Sequence, residues 1–373
     1  MDLSSEIIHA LLPLFLTATL GVSVAVVGLI DGISESTASI SKVFSGYLSD
    51  RLGRRKPLIL LGYGLGALSK PFFALAGTAP MVLAARFADR IGKGIRGAPR
   101  DALVADVTPI AIRGRAFGLR QSLDTIGAFL GPLLAIGLMF LFANDMRSVF
   151  WVAAIPAAIA VVLIVFGVKD HEVRDAAAEA PVRIKDLSRF DAAFWSIVIV
   201  GVAFTLARFS EAFLILKANA EGLPLALAPL VLVVMNVVYA LGAYPAGALS
   251  DRIDGRHLLI SAMGCLVMAD LILAFVSGVG GAFAGIALWG LHLAFSQGLL
   301  AKLVADRSPE NLRGSAYGIF NLATGLALLL ASVVAGLLWD RLGPSATFMA
   351  GAAFAGAAMF MLAVRRPAAQ TEG

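Results

Sequence analysis

The chain of 373 residues is 59% hydrophobic and only 15% charged, whereas a soluble protein carries roughly a quarter charged residues. That excludes a soluble globular domain and marks an integral membrane protein. Its formal net charge of +5 sits in short basic clusters between apolar spans, the pattern of the positive-inside rule and not of a nucleic-acid surface.

In chain order, a short apolar run at Ile7–Leu20 precedes a span at Val22–Leu48 that ends in Ser49-Asp50-Arg51-Leu52-Gly53-Arg54-Arg55-Lys56. Spans are predicted at Leu58–Ala76, Met81–Val107, Ala116–Phe142 and Val149–Val168. A hydrophilic linker of mixed charge, 169–190, follows. Six more spans are predicted at Ala192–Leu216, Leu225–Leu249, Leu258–Val276, Ala282–Val304, Ala316–Trp339 and Phe348–Val364. Strand-like alternation is absent, so the fold class is all-α: about twelve transmembrane helices, six in 1–168 and six in 191–373. Basic loops on one side and an even span count place both termini in the cytoplasm of a cell inner membrane. The N-terminus shows no basic signal region, and Cys265 is a lone cysteine in an apolar run, with no disulfide framework.

The halves repeat. Residues 103–118, LVADVTPIAIRGRAFG, match 303–318, LVADRSPENLRGSAYG, at an offset of 303 − 103 = 200. Gly46-Tyr47-Leu48-Ser49-Asp50-Arg51 returns as Gly247-Ala248-Leu249-Ser250-Asp251-Arg252. Two equivalent six-helix halves are the plan of parallel-repeat transporters.

These residues resemble the major facilitator superfamily. Gly46, Asp50, Arg51, Gly53, Arg54 and Arg55 match its G-x-x-x-D-R-x-G-R-R signature, and the second copy keeps Gly247, Asp251 and Arg252 but runs one residue longer. The resemblance implies that this loop latches the cytoplasmic side through charge pairs; the plain alternative is a topology anchor. Arg86 resembles the family's intramembrane arginine. Gly118, Gly127, Gly131 and Pro132 resemble its antiporter signature, with Ala135 and Ile136 where a final glycine pair is expected, which implies export. The resemblance implies more apolar sequence before the Ser-Ser-Glu stretch, so either the first helix is short or, the leading expectation, it is truncated by a late start.

Charged residues inside the spans are the candidate site, because charge in lipid is costly and faces a bundle interior or water. Ten residues beyond Pro80 at 1.5 Å each put Arg90 about 15 Å deep, near the middle of a roughly 30 Å core. Arg86, Arg90, Lys93 and Arg100 recur at helical spacing, with Arg96 nearby and Asp89 and Asp101 offsetting part of the charge. They form either a cationic cavity wall for an anionic group or a set of bracing ion pairs. Asp124, one turn after Arg120, is a coupling carboxylate or a fixed salt bridge. Glu6 and Glu211, the latter three residues after Arg208, pose the same choice. His9 and His292 read as hydrogen-bonded packing residues. Gly92-Lys93-Gly94 lacks the spacing of a phosphate loop.

The resulting expectation is a secondary transporter, not an enzyme, that works by alternating access as a monomer. It needs no cofactor or metal; its partners are a small-molecule substrate, protons and the bilayer. Proton-coupled export of an anionic or zwitterionic compound leads, with proton-coupled import or a non-transporting receptor as alternatives.

Overall fold

Apolar chain in lipid has no water to satisfy its backbone and must hydrogen-bond to itself. In a computed structural model that describes residues 1–52, 54–109, 112–168, 190–250, 253, 255–308 and 313–364, these residues are predominantly helical, with no strand among them. The first segment is α1 (Asp2–His9), the short α2 (Leu12–Leu14) and a π-turn, Phe15–Thr19. Then come α3 (Val24–Leu52), α4 (Lys56–Leu75), α5 (Ala79–Val107), α6 (Arg113–Leu141) and α7 (Met146–Gly167). Beyond the linker, 169–189 of which lies outside the described residues, are α8 (Ala192–Ala207), α9 (Ala212–Ala220), α10 (Leu230–Ser250), α11 (Gly255–Phe275), α12 (Val279–Asp306), α13 (Arg313–Leu342) and α14 (Pro344–Val364).

Ten spans among the described residues are long and apolar enough to cross a bilayer. Two of the twelve expected spans fail that measure for physical reasons. Pro13 removes a backbone donor and helps break the first segment into pieces. The fifth helix carries seven charged residues from Arg86 to Asp101. The expected single span Ala192–Leu216 is also interrupted, between α8 and α9. There the Ser210 hydroxyl accepts from the Ala212 N–H at 3.1 Å, capping a half-helix inside the bundle. Irregular backbone at this depth is tolerated where it lines a cavity.

Close packing in lipid relies on small residues that let backbones approach. A Cβ on Gly62 would meet the Gly92 carbonyl at 2.6 Å, so only glycines let α4 and α5 lie this close. Gly127 and Gly131 seat α1 on α6 in the same way: a Cβ on Gly131 would lie 2.5 Å from Glu6 Cβ. Aromatic side chains fill the core on each side. Phe15 meets Phe150 edge-on at 5.1 Å, and Phe209 packs on Trp289 at 5.3 Å and Phe348 at 5.4 Å.

Helices α1–α7 pack among themselves, as do α8–α14, and α3 against α13 is the broadest contact between the two groups. That contact is tightest at the face opposite the basic loops. A Cβ on Gly28 would lie 2.3 Å from the Ser332 carbonyl oxygen, and one on Gly336 would lie 2.6 Å from Ala25 Cα. The Asp340 carboxylate accepts from the Val24 and Ala25 N–H groups at 3.0 and 2.9 Å, capping the start of α3 from across the interface. Acidic groups belong at helix N-termini, where backbone donors lack intrahelical partners. On the same face Glu221 accepts from Lys217 and from the Gly278 N–H, which hold its carboxyl below the ordinary carboxylate range.

Candidate substrate and coupling site

The charges of α5 are mostly spoken for by acids on neighbouring helices. Arg86, 1% exposed, bonds Asp31 at 3.1 Å, and Arg90, 2% exposed, reaches Glu35 at 3.3 Å. Asp31 and Glu35 stand one turn apart on α3 and so present both carboxylates to α5. Asp89 pairs with Lys70 of α4 at 2.7 Å, and Lys70 also donates to Ser5 Oγ at 2.9 Å. Arg96 bonds Asp2 at 3.3 Å and stacks over Tyr63 at 4.8 Å. Breaking such buried pairs strands a charge, so they hold α1, α3, α4 and α5 as one body. Most of the predicted stripe is thus engaged in ion pairs with neighbouring helices. Lys93 differs: it is exposed to the cavity and has no ion pair among the described residues.

Asp124 lies against Arg120 at 2.9 Å and Arg100 at 3.4 Å, and both arginines also approach Asp101. These pairs are set in the wall of a cavity of about 720 Å³ that runs from the bundle interior toward the basic-loop ends of α5 and α6. In the predicted latch loop, Arg55 bonds Asp106 at 3.3 Å and Ser49 Oγ at 2.8 Å, and Arg54 is exposed. Gly53, Asp251 and Arg252, with the surroundings of Gly46, Asp50, Arg51 and Gly118, lie outside the described residues. Pro132 is buried within α6.

Between the two groups of helices lies a second cavity of about 190 Å³. From the first group it takes Glu6, Asp31, Glu35, Arg90 and Lys93; from the second, Arg208, Ser210 and Glu211 at the α8–α9 break. Ser210 donates to Asp31, joining the break to α3. His9 Nδ1 faces Glu6 at 3.4 Å. Arg208 and Glu211, which sequence spacing offered as a pair, are not within ion-pair distance, and neither side chain has a hydrogen bond among the described residues. The break turns them apart by ending α8 just before Arg208.

Four members of the site escaped the sequence reading: Asp31, Glu35, Lys70 and Ser210. The first three are charges inside apolar spans, with Asp31 and Glu35 at helical i,i+4 spacing, and that signal was available. Ser210 carries no comparable mark. The twofold repeat also breaks down here. The positions 200 beyond Lys70 and Asp89 are Asp270 and Trp289, both fully buried, and neither the carboxylate oxygens nor the indole N–H has a hydrogen-bond partner among the described residues.

A helical membrane body with charged cavities at a discontinuous helix is the form of a membrane transporter, in which a small molecule is held where two helix groups meet. The profile of the Major Facilitator Superfamily matches residues 1–329 and 219–373, and the chain belongs to that superfamily. It is therefore a transporter-family protein and not an enzyme. An uncharacterized MFS-type transporter of Methanocaldococcus jannaschii is 30% identical over 362 residues, covering 95% of this chain and 89% of its own. A protein named multidrug resistance protein MdtH from Photorhabdus laumondii is 26% identical over 339 residues, covering 90% and 82%. The solved structure of nucleoside transporter NupG shares the fold with a TM-score of 0.78 at 14% identity, over 98% of this chain and 96% of that one.

Proposed function

We propose that the protein is a proton-coupled secondary transporter that exports a small organic anion or zwitterion across the cell inner membrane. It works as a monomer whose two six-span halves, 1–168 and 191–373, rock about the central cavity, with both termini in the cytoplasm. The observation that carries this reading is the set of unpaired groups in that cavity. Among the described residues, Arg208 and Lys93 are cations of this cavity without an ion pair, and Glu211 is a carboxyl without one. An intramembrane carboxyl so placed can take up a proton and release it when a charged substrate arrives, and free cations nearby supply the attraction for an anionic group. Glu211 thereby becomes the leading coupling residue, ahead of Asp124 with its two arginines. Export is supported by the glycine pattern of α6 and by the relative named for multidrug resistance.

Substrate-driven proton flux in sealed proteoliposomes tests the reading. Glu211→Gln should abolish uphill, proton-driven transport while leaving substrate exchange intact. Uphill transport at the wild-type rate in this variant would remove Glu211 from coupling. Proton and substrate moving in the same direction would make the protein an importer.

A further inference from the structure

A third cavity, of about 340 Å³, lies beside the central one and belongs almost wholly to the second group of helices. Arg208 lines both cavities and forms the boundary between them. Three rings, Phe204, Tyr317 and Phe320, stand in its wall, and no carboxylate among the described residues does. Four of its polar groups, Thr205, His292, Ser296 and Thr324, share one sense. Thr205, Ser296 and Thr324 each donate their hydroxyl proton to a carbonyl of their own helix at 2.8 Å, leaving oxygen lone pairs to offer. The His292 Nδ1 proton goes to the Ala262 carbonyl at 2.8 Å, which fixes the tautomer and leaves Nε2 as an acceptor. Asn321 has no side-chain hydrogen bond among the described residues.

We propose that this chamber is a subsite for the ring of an aromatic carboxylate bearing a hydroxyl or amino group, with the carboxylate on Arg208. The inference rests on the transporter reading above and names the substrate class for it. Each feature contributes a separate part. The guanidinium offers a forked pair of donors that fits a carboxylate. Stacking and edge contacts from three rings favour a planar body. The four acceptors suit a hydroxyl or amino donor on the ligand, which Gln297 and Asn321, able to donate or accept, can also meet. The volume sits near the lower end of the roughly 300–1,000 Å³ range of ligand pockets, which suits one ring and not a fused polycycle.

Gly201 supplies a way to test the chamber without touching Arg208. One edge of the Phe320 ring abuts this glycine: a Cβ there would come within 2.3 Å of Phe320 Cε2. Gly201→Ala must therefore displace the ring from its place in the wall.

The experiment is isothermal titration calorimetry on the full chain in lipid nanodiscs, with 4-hydroxybenzoate, cyclohexanecarboxylate and 4-hydroxybenzyl alcohol as probes. The aromatic acid should bind about tenfold more tightly than the saturated acid, and the neutral alcohol more weakly still. Arg208→Gln should weaken 4-hydroxybenzoate binding by about 10- to 100-fold. Gly201→Ala should weaken it by about tenfold; Phe320→Leu, which keeps an apolar filler, provides the same test if Gly201→Ala does not fold. Equal affinity for the two acids, indifference to both chamber variants, or no binding of any probe overturns the proposal. Tight aromatic binding without proton flux in liposomes would keep the chamber and sink proton coupling. Proton-linked transport of aliphatic acids that ignores Gly201→Ala would sink the chamber and keep the transporter.

Discussion

Replacing Gly28 by alanine tests whether the α3–α13 seam is a closed gate. The new methyl carbon would lie 2.3 Å from the Ser332 carbonyl oxygen, where ordinary contacts begin at 3.4 Å, so the backbones must part by about 3.4 − 2.3 = 1.1 Å. Main chain cannot swing aside as a side chain can. Overpacking of this kind costs about 1–3 kcal/mol. In the state open on this face, α3 and α13 are separated and the methyl meets nothing, so the whole penalty falls on the closed state. The ratio of open to closed should rise by about 5- to 150-fold, taking RT as about 0.59 kcal/mol. Spin labels on Thr78→Cys and Ser277→Cys, both exposed at the face in question, in a Cys265→Ala background, would read the distance between the two groups. The longer component should grow in the Gly28→Ala protein. An unchanged distance distribution in a variant with wild-type melting would refute the gate.

Asp340→Ala should act in the same direction but more weakly. It removes an exposed helix cap worth about 1 kcal/mol, a fivefold shift in the same distance measurement, and the shift should shrink at high salt. Lys70→Met leaves Asp89 buried without its cation and should lower stability by about 3–5 kcal/mol. The double change Lys70→Met/Asp89→Leu should recover most of that loss in detergent melting curves. Glu221 titrates below its ordinary value of 4.5, so its tie to Lys217 and Gly278 is present above that value and is lost as pH falls through the folded one. Melting temperature should drop on acidification in the wild type, and less so in Glu221→Gln.

Much of the fold is legible in the sequence because it depends on local composition. Apolar length gives the spans, and the offset of 200 gives the duplication. Glycines 127 and 131 stand one turn apart on α6 because α1 lies against them. The partners of the charges are not legible in the same way. Arg86 and Arg90 are fixed by Asp31 and Glu35 only once α3 lies beside α5, and nothing in the α5 sequence says which neighbour brings the acids. The break after Ala207 is more hidden still, since no proline or glycine stands at 208–211. It depends on Ser210 being able both to cap α9 and to donate to Asp31, a tertiary bargain without a local signature.

The two halves of the duplication now differ in what their interiors are made of. Where the first has Lys70 facing Asp89, the second has Asp270 and Trp289, and apart from Arg208 the polar wall of its own cavity is made of uncharged hydroxyl, amide and imidazole groups among rings. A lattice of mutually dependent ion pairs punishes single substitutions, because each one strands a partner in a low dielectric. Aromatic and hydroxyl walls can be altered one residue at a time. Under laboratory selection for a new cargo, adaptive changes should therefore accumulate between α8 and α14, while the first half serves as the keel that keeps such variants folded.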